Sequence, residues 1–290
     1  MKEKFMNINF SKESLDQIGS INAVLDDYHK QGYRLSLRQL YYQLVSRNEI
    51  VNSERSYKNV GRLVVNGRMT GHIDWNHITD RGRVPHTYYC VDDLGDALED
   101  TRLGYRLDRM SSQDVYIELW CEKDALSDIL KRVTYRYGIP LVINKGYSSA
   151  SAMYEARGRF EGNPREGYIL YFGDHDASGL DMVRDIRERT EILISERADR
   201  PEIVPCALTM EQIRAHALPP NPTKQSDTRA SKYMSEYGQR SWELDALAPQ
   251  VLVDIAENAI SKLIVPELYQ GVLDREEVDK KTLGEWISER

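Results

Sequence analysis

Gly167-Tyr168-Ile169-Leu170-Tyr171-Phe172-Gly173-Asp174-His175-Asp176-Ala177-Ser178-Gly179 decides how this chain is read. The apolar, aromatic run from Gly167 to Phe172 is a strand. It breaks into a short acidic turn, and a helix follows from Ser178 to Arg197. Upstream, Val115–Cys121 reads as a strand leading into a helix over Lys123–Tyr137. Pro140–Ile143 is a second strand, followed by a turn at Lys145-Gly146-Tyr147 and a helix over Ser149–Phe160. Downstream, Ile203–Ala207 is a fourth strand. Strands alternating with helices predict a parallel α/β sheet, with its functional groups at the carboxyl ends of the strands.

Applied to those ends, the rule selects carboxylates. Glu122 follows the first strand, and Asp174 and Asp176 follow the third. Residues two apart in an extended segment point the same way, so the three acids can converge. Like charges brought together in a protein are costly unless a cation offsets them. Mg²⁺ suits such oxygens, with Mn²⁺ as a substitute, and substrate phosphate often completes its shell. The plain alternative is a solvated acidic rim. His175, between the aspartates, points away and reads as structural. Glu118 lies four residues before Glu122 on the same strand face. It is either an acid supporting the site or a core-edge residue paired with an arginine. Asp181 is a first-turn helix acid.

The N-terminal part is helical. Apolar residues from Leu15 to Tyr28 recur at spacings of three and four within Ser11–Lys30. Ser36 and Gln39 form a capping box opening Leu37–Arg47, and a third helix spans about Glu54–Met69. Gly71–Trp75 reads as a short strand or wing, so the segment has the pattern of a winged helix-turn-helix. After the Pro-rich break Leu218–Thr223, Ser241–Leu247 leads into a helix from Pro249 to about Ile264, and Asp274–Arg290 is charged and helical.

Composition narrows the class. The chain has 290 residues, 41% hydrophobic and 29% charged, which excludes disordered and collagen-like proteins. At roughly 150 residues per domain it has room for about two domains or one with a large extension. No apolar run spans a bilayer, and the start MKEKFMNINFSKES lacks a signal-peptide core, so a cytoplasmic protein is expected. Three scattered cysteines (Cys90, Cys121, Cys206) support neither a disulfide framework nor a zinc cluster. The net charge of −7 is uneven: ten basic and four acidic residues lie between His29 and Arg83, leaving −13 on the remainder. That segment reads either as a phosphate-binding surface or as a solvated helical face.

Glu122-Lys123, Lys145-Gly146-Tyr147 and Gly173-Asp174-His175-Asp176-Ala177-Ser178-Gly179, in that order, resemble a Toprim domain, the metal-binding fold of topoisomerases, bacterial primases and certain nucleases. The form Asp-x-Asp-x-Ser-Gly is most similar to the topoisomerase VI A subunit and its relative, the meiotic double-strand-break transesterase. That family carries a preceding winged helix ending in Arg-x-x-(Tyr/Phe)-Tyr, and Arg38-Gln39-Leu40-Tyr41-Tyr42 stands in the matching place. The resemblance covers about Leu35 to Leu180. It implies three parts: a winged-helix domain over 1–110, a Toprim domain over 111–217 and a helical C-terminal extension over 218–290.

The resemblance also implies roles. Tyr42 is the nucleophile, Arg38 orients the phosphate, and Glu122, Asp174 and Asp176 hold Mg²⁺. Arg55, Lys58, Arg62 and Arg68 are phosphate contacts on duplex DNA. A homodimer pairs the tyrosine of one subunit with the metal of the other, and a separate ATPase subunit is a conceivable partner. The chain resembles small free-standing A-subunit homologues of prokaryotes and their viruses. For Tyr41-Tyr42 the bland alternative is a helix pair with one ring in the core and one at the surface. A second reading is a hydrolytic Toprim nuclease, with Glu118 or the pair Glu243 and Asp245 as accessory acids. There, the alternative for Trp242–Asp245 is a helix start whose Trp242 and Leu244 pack inward. A third reading is a non-catalytic DNA-binding protein.

Overall fold

A computed structural model of the chain describes residues 1–79, 88–194, 200–223 and 227–289. Three helices open it: α1 (Lys12–Lys30), α2 (Leu37–Ser46) and α3 (Glu54–Met69). Each starts on a serine, Ser11, Ser36 or Ser53, whose hydroxyl accepts a first-turn backbone N–H. The cap satisfies a donor that the helix itself leaves unpaired. At Ser36 the capping box closes, because Ser36 N donates to Gln39 Oε1 at 2.8 Å. Ile21 and Leu25, Leu40 and Leu44, and Val60 and Leu63 face one another in a shared core. Each fully buried aliphatic side chain there contributes about 1.5–3 kcal/mol.

The expected strand at Gly71–Trp75 does not form. Gly71 turns the chain at φ +77°. Asp74 then caps a single 3-10 turn, Trp75–His77, through Asn76 N at 2.8 Å. Pairing here is limited to isolated bridges, Lys4 with Thr70 and Leu35 with Ile78. A carboxylate that caps its own backbone competes with strand pairing. Asp80, Arg81 and Arg83 of the basic segment lie outside the described residues.

After α4 (Leu94–Gly104) comes the α/β part. Its elements are β1 (Val115–Cys121), α5 (Ser127–Tyr137), β2 (Leu141–Ile143), α6 (Ala150–Glu161), β3 (Glu166–Phe172), α7 (Ala177–Leu193) and β4 (Glu202–Ala207). All pairings are parallel, in the order β2-β1-β3-β4, with Leu119 opposite both Leu141 and Leu170. The expected helix from Lys123 begins later. Lys123 stays extended (φ −112°, ψ 120°), a 3-10 turn spans Asp124–Leu126, and α5 starts at Ser127. The part of the third expected helix over 195–197 lies outside the described residues. From β1 the chain moves outward to β2 and returns to β3 on the other side of β1. Strand order therefore reverses between β1 and β3, which opens a crevice at their carboxyl ends.

One apolar layer joins the N-terminal helices, α5 and one sheet face to the helix Pro249–Ser261. The other packs Trp120, Ile169 and Tyr171 against Met153, Phe160, Met182 and Ile186 of α6 and α7. The Pro-rich break is a short strand, Asn221–Pro222, paired antiparallel with Arg240–Ser241. Its connection carries the helix Ala230–Tyr237. A closing helix, Pro266–Ser288, lies against α4. Among the described residues no helix is long and apolar enough to cross a membrane.

Candidate active site

The crevice between β1 and β3 is built from backbone first. Glu122 N continues the ladder to Phe172 O at 2.9 Å, and Asp174 N donates to Glu122 Oε2 at 3.1 Å. His175 and Trp242 exchange both backbone hydrogen bonds, at 2.9 and 3.0 Å, which docks residues 242–246 onto the end of β3. Leu244 N then donates to Asp174 Oδ1 at 2.7 Å. His175 itself is buried, its Nδ1 2.9 Å from Tyr233 Oη and its ring against Tyr237 and Trp242. It is structural, as expected. Gly179 lets α7 start this close: a Cβ there would lie 2.1 Å from the Asp174 carbonyl oxygen.

These contacts bring Asp174, Glu243 and Asp245 around Lys123. Its Nζ lies 2.8 Å from Asp174 Oδ2, 2.8 Å from Asp245 Oδ2, and pairs with Glu243. Burial alone would discharge the Lys123 amine, but the three carboxylates more than offset this and hold it protonated. Burial raises the Asp174 carboxyl, and the Glu122 and Glu243 charges add to the effect that Lys123 opposes. Burial also raises Glu122. Glu243 shifts the other way, although it shares Lys123 with Asp174. Burial pushes it up too, but the Lys123 charge, the Arg38 charge and the hydrogen bonds from both outweigh burial and pull it down. Asp245 is fully buried, and its Oδ1 has no hydrogen-bond partner among the described residues.

Arg38 carries the cluster to Tyr42. Its guanidinium pairs with Glu243, its Nε is 3.6 Å from Asp245 Oδ2, and it lies 5.8 Å from the centre of the Tyr42 ring. Tyr42 Oη accepts from Asn221 Nδ2 at 2.8 Å. Burial and the Glu243 charge push its phenol up to about 12, against the opposing pull of Asn221, Arg38 and Lys123. Both rings of Tyr41-Tyr42 are buried, not one in the core and one outside. Tyr41 Oη is held by Asn52 and Ser53. A cleft of about 310 Å³ lined by Arg38, Tyr42, Asn52, Tyr57 and Asn221 opens beside them.

Other sequence-derived residues divide. Asp176 is the N-cap of α7, its Oδ1 accepting from Gly179 N at 2.7 Å. Glu118 is the arginine-paired core acid rather than an accessory one. It accepts from Arg159 at 2.6 and 2.9 Å, from Tyr116 Oη at 2.7 Å and from Trp120 Nε1 at 2.8 Å. Glu243 and Asp245 do reach the site, while Trp242 and Leu244 of the same segment pack inward. Arg55, Lys58 and Arg62 are exposed at i, i+3 and i+7 on α3. Lys58 pairs there with Glu54, and Arg62 donates to Asn59. Arg68 instead donates to the Trp75 and Ile78 carbonyls, both at 2.8 Å, and stacks on Trp75, so it holds the turn after α3. Asp181 accepts from Tyr147, Arg184 and Arg229.

Among the described residues no three Asp, Glu, His or Cys side chains are arranged to hold a metal ion as they stand. The donor chemistry nonetheless fits a hard divalent cation. Asp174, Glu243 and Asp245 meet around Lys123, Arg38 reaches Glu243 and Asp245, and Asp245 Oδ1 has no hydrogen-bond partner among the described residues. Glu122, which accepts from Asp174 N, stands beside them, its carboxyl raised by burial and in part by the charges of Asp176 and Glu243. Lys123 and Asn221 are the residues that sequence reasoning did not assign. The signal for Lys123 was its position at the mouth of an acidic strand end; Asn221 gave none. No known protein-family model matches the chain, and no curated protein is similar to it.

Proposed function

We propose that this chain cleaves DNA strands by transesterification from Tyr42, in the manner of a topoisomerase VI A subunit. On this reading α1–α3 serve as a winged-helix-like DNA-binding unit and the sheet as a Toprim-like domain. The observation that carries it is Arg38, whose one guanidinium touches Glu243 at the switch point and lies over the Tyr42 ring. The nucleophile, a phosphate-binding cation and the acids thus share one cluster beside an open cleft. The assembly forms within a single chain, whereas the resemblance pairs a tyrosine with the partner's acids. A homodimer remains the proposed means of cutting both strands.

A phenol raised to about 12 is a weak nucleophile at neutral pH. A DNA phosphate drawn to Arg38 brings the phosphorus to the hydroxyl and competes with Glu243 for the guanidinium. The Tyr42 oxygen forms a bond to phosphorus, the bond to the 3′ oxygen breaks, and the phenolic proton ends on that oxygen. The product is a 5′-phosphotyrosyl link, which the reverse step reseals. Asp174, Glu243 and Asp245, with Glu122 adjacent, would hold Mg²⁺ or Mn²⁺, which when bound would supply charge neutralisation to the phosphate. Arg55, Lys58 and Arg62 position the duplex through its backbone.

The burial of Tyr42 and the engagement of its hydroxyl by Asn221 favour a second reading, metal-dependent hydrolysis without a covalent intermediate. End-labelled duplex DNA mixed with protein and Mg²⁺ and quenched with denaturant separates the two. Transesterification puts label on the protein, and Tyr42→Phe removes it. Cut DNA that is free of protein and undiminished in Tyr42→Phe supports hydrolysis instead.

A further inference from the structure

Lys123 is a lysine in a metal's surroundings. An ammonium has three N–H donors and no acceptor, and here it meets three carboxylates, those of Asp174, Glu243 and Asp245. Its one positive charge faces three negative ones, of which only Glu243 and Asp245 are also reached by Arg38, and Asp245 Oδ1, in a fully buried residue, has no hydrogen-bond partner among the described residues. The backbone of Lys123 is extended between β1 and the 3-10 turn Asp124–Leu126, and only a flexible four-carbon stem ties the ammonium to it.

We propose that Lys123 is a displaceable internal cation. Its ammonium holds Asp174, Glu243 and Asp245 together until a divalent cation takes those oxygens and the lysine side chain moves out to solvent. The inference rests on the metal-dependent reading above and names the residue that controls when the site is loaded. A divalent ion brings twice the charge and accepts more oxygen ligands than an ammonium can serve, which drives the exchange. One ammonium leaves with its proton and one cation enters, and no covalent bond changes. Glu243 couples the exchange to the nucleophile, because the carboxylate that holds Lys123 also holds Arg38 over Tyr42. Lys123 is therefore a positioning residue, one that sets the acids in place without touching the phosphate.

Two measurements on the full chain without DNA test this. In wild-type protein, lysines are acetylated in EDTA, in saturating Mg²⁺ and in NaCl of equal ionic strength, then mapped by peptide mass spectrometry. Acetylation at Lys123 rises about tenfold or more with Mg²⁺ alone, as a buried group gaining solvent does, while that at exposed Lys58 does not change. In the second, Mn²⁺ binding is followed by its paramagnetic signal. Lys123→Met, which removes the competitor and one nearby positive charge, binds Mn²⁺ about tenfold tighter than wild type, and Lys58→Met does not. Lys123 that stays protected under Mg²⁺, with equal Mn²⁺ affinity in Lys123→Met, overturns displacement and leaves the metal-dependent reading standing. Failure of both proteins to bind Mn²⁺ overturns both. The acetylation arm decides the matter even if Lys123→Met does not fold.

Discussion

Glu118 and Asp174 are both buried acids of neighbouring strands, and they live under opposite rules. Glu118 sits inside β1 with donors from Arg159, Tyr116 and Trp120 on its two oxygens. Asp174 sits just past β3 with one backbone N–H and a third share of one lysine, among four other acids. A carboxylate with a full set of donors belongs to the fold. A carboxylate that shares its one cation with two others has its charge balanced only in part, and Asp174 stands this way where the sheet opens. Glu276 extends the first class. Arg109 reaches it at 2.7 and 3.0 Å and Lys280 at 3.0 Å, and these bonds pull its carboxyl down to about 2.

The contrast breaks most sharply under substitution. Asp174→Asn should lower adduct yield by about 10²–10³-fold, the usual loss for a charge-stabilising group. Its unfolding free energy in urea should stay within about 1 kcal/mol of wild type, because Leu244 N keeps its acceptor and a costly charge is gone. Glu118→Ala should do the reverse. It strands Arg159 and should cost about 3 kcal/mol in urea unfolding, while the folded fraction still forms adduct. Equal behaviour of the two variants would erase the distinction.

Gly179→Ala tests how the site is held. Its Cβ would stand 2.1 Å from the Asp174 carbonyl oxygen, so a loss of about 3 kcal/mol and of adduct together is expected from denaturation and trapping assays. A silent Gly179→Ala would mean that α7 does not need its close start.

Acid titration sharpens the other side. Glu276 has a folded-state value near 2, below the ordinary value of 4.5. Its contribution is thus complete above about pH 4.5 and lost as pH falls towards 2. Denaturant curves between pH 5 and 2 should show a decline on the order of 2 kcal/mol that is missing in Glu276→Gln. The smallest effect is expected on the exposed face of α3. Lys58→Ala should lower the slope of log affinity against log salt by about one without a change in sequence preference, read by fluorescence anisotropy on duplex DNA.

What could be read from sequence followed local rules. Ser36-Leu37-Arg38-Gln39 announced α2, and the glycine-bounded run before Asp174 announced β3. Glu122 and Asp174 came from the strand-end rule. Asp176 was placed by direction alone; what its position after β3 did not announce is that its Oδ1 also caps α7. The wing failed because Asp74 caps its own turn. Glu243 and Asp245 were reached only as accessory acids. Their place depends on the His175–Trp242 backbone pairing, a contact 67 residues apart in sequence that leaves no periodic trace. Arg68 looked like one more helix cation until its carbonyl partners were in view.

The central claim is that Tyr42 attacks the phosphate beside these acids. The most direct measurement is to trap the protein on duplex DNA with Mg²⁺, digest the DNA with nuclease and the protein with protease, and locate the remaining nucleotide by mass spectrometry. The account predicts a nucleotide on the Tyr42 side chain of the α2 peptide, present in Glu118→Gln and absent in Asp174→Asn. A nucleotide on Tyr41 or on another residue, or cleaved DNA with an unmodified α2 peptide, would contradict it.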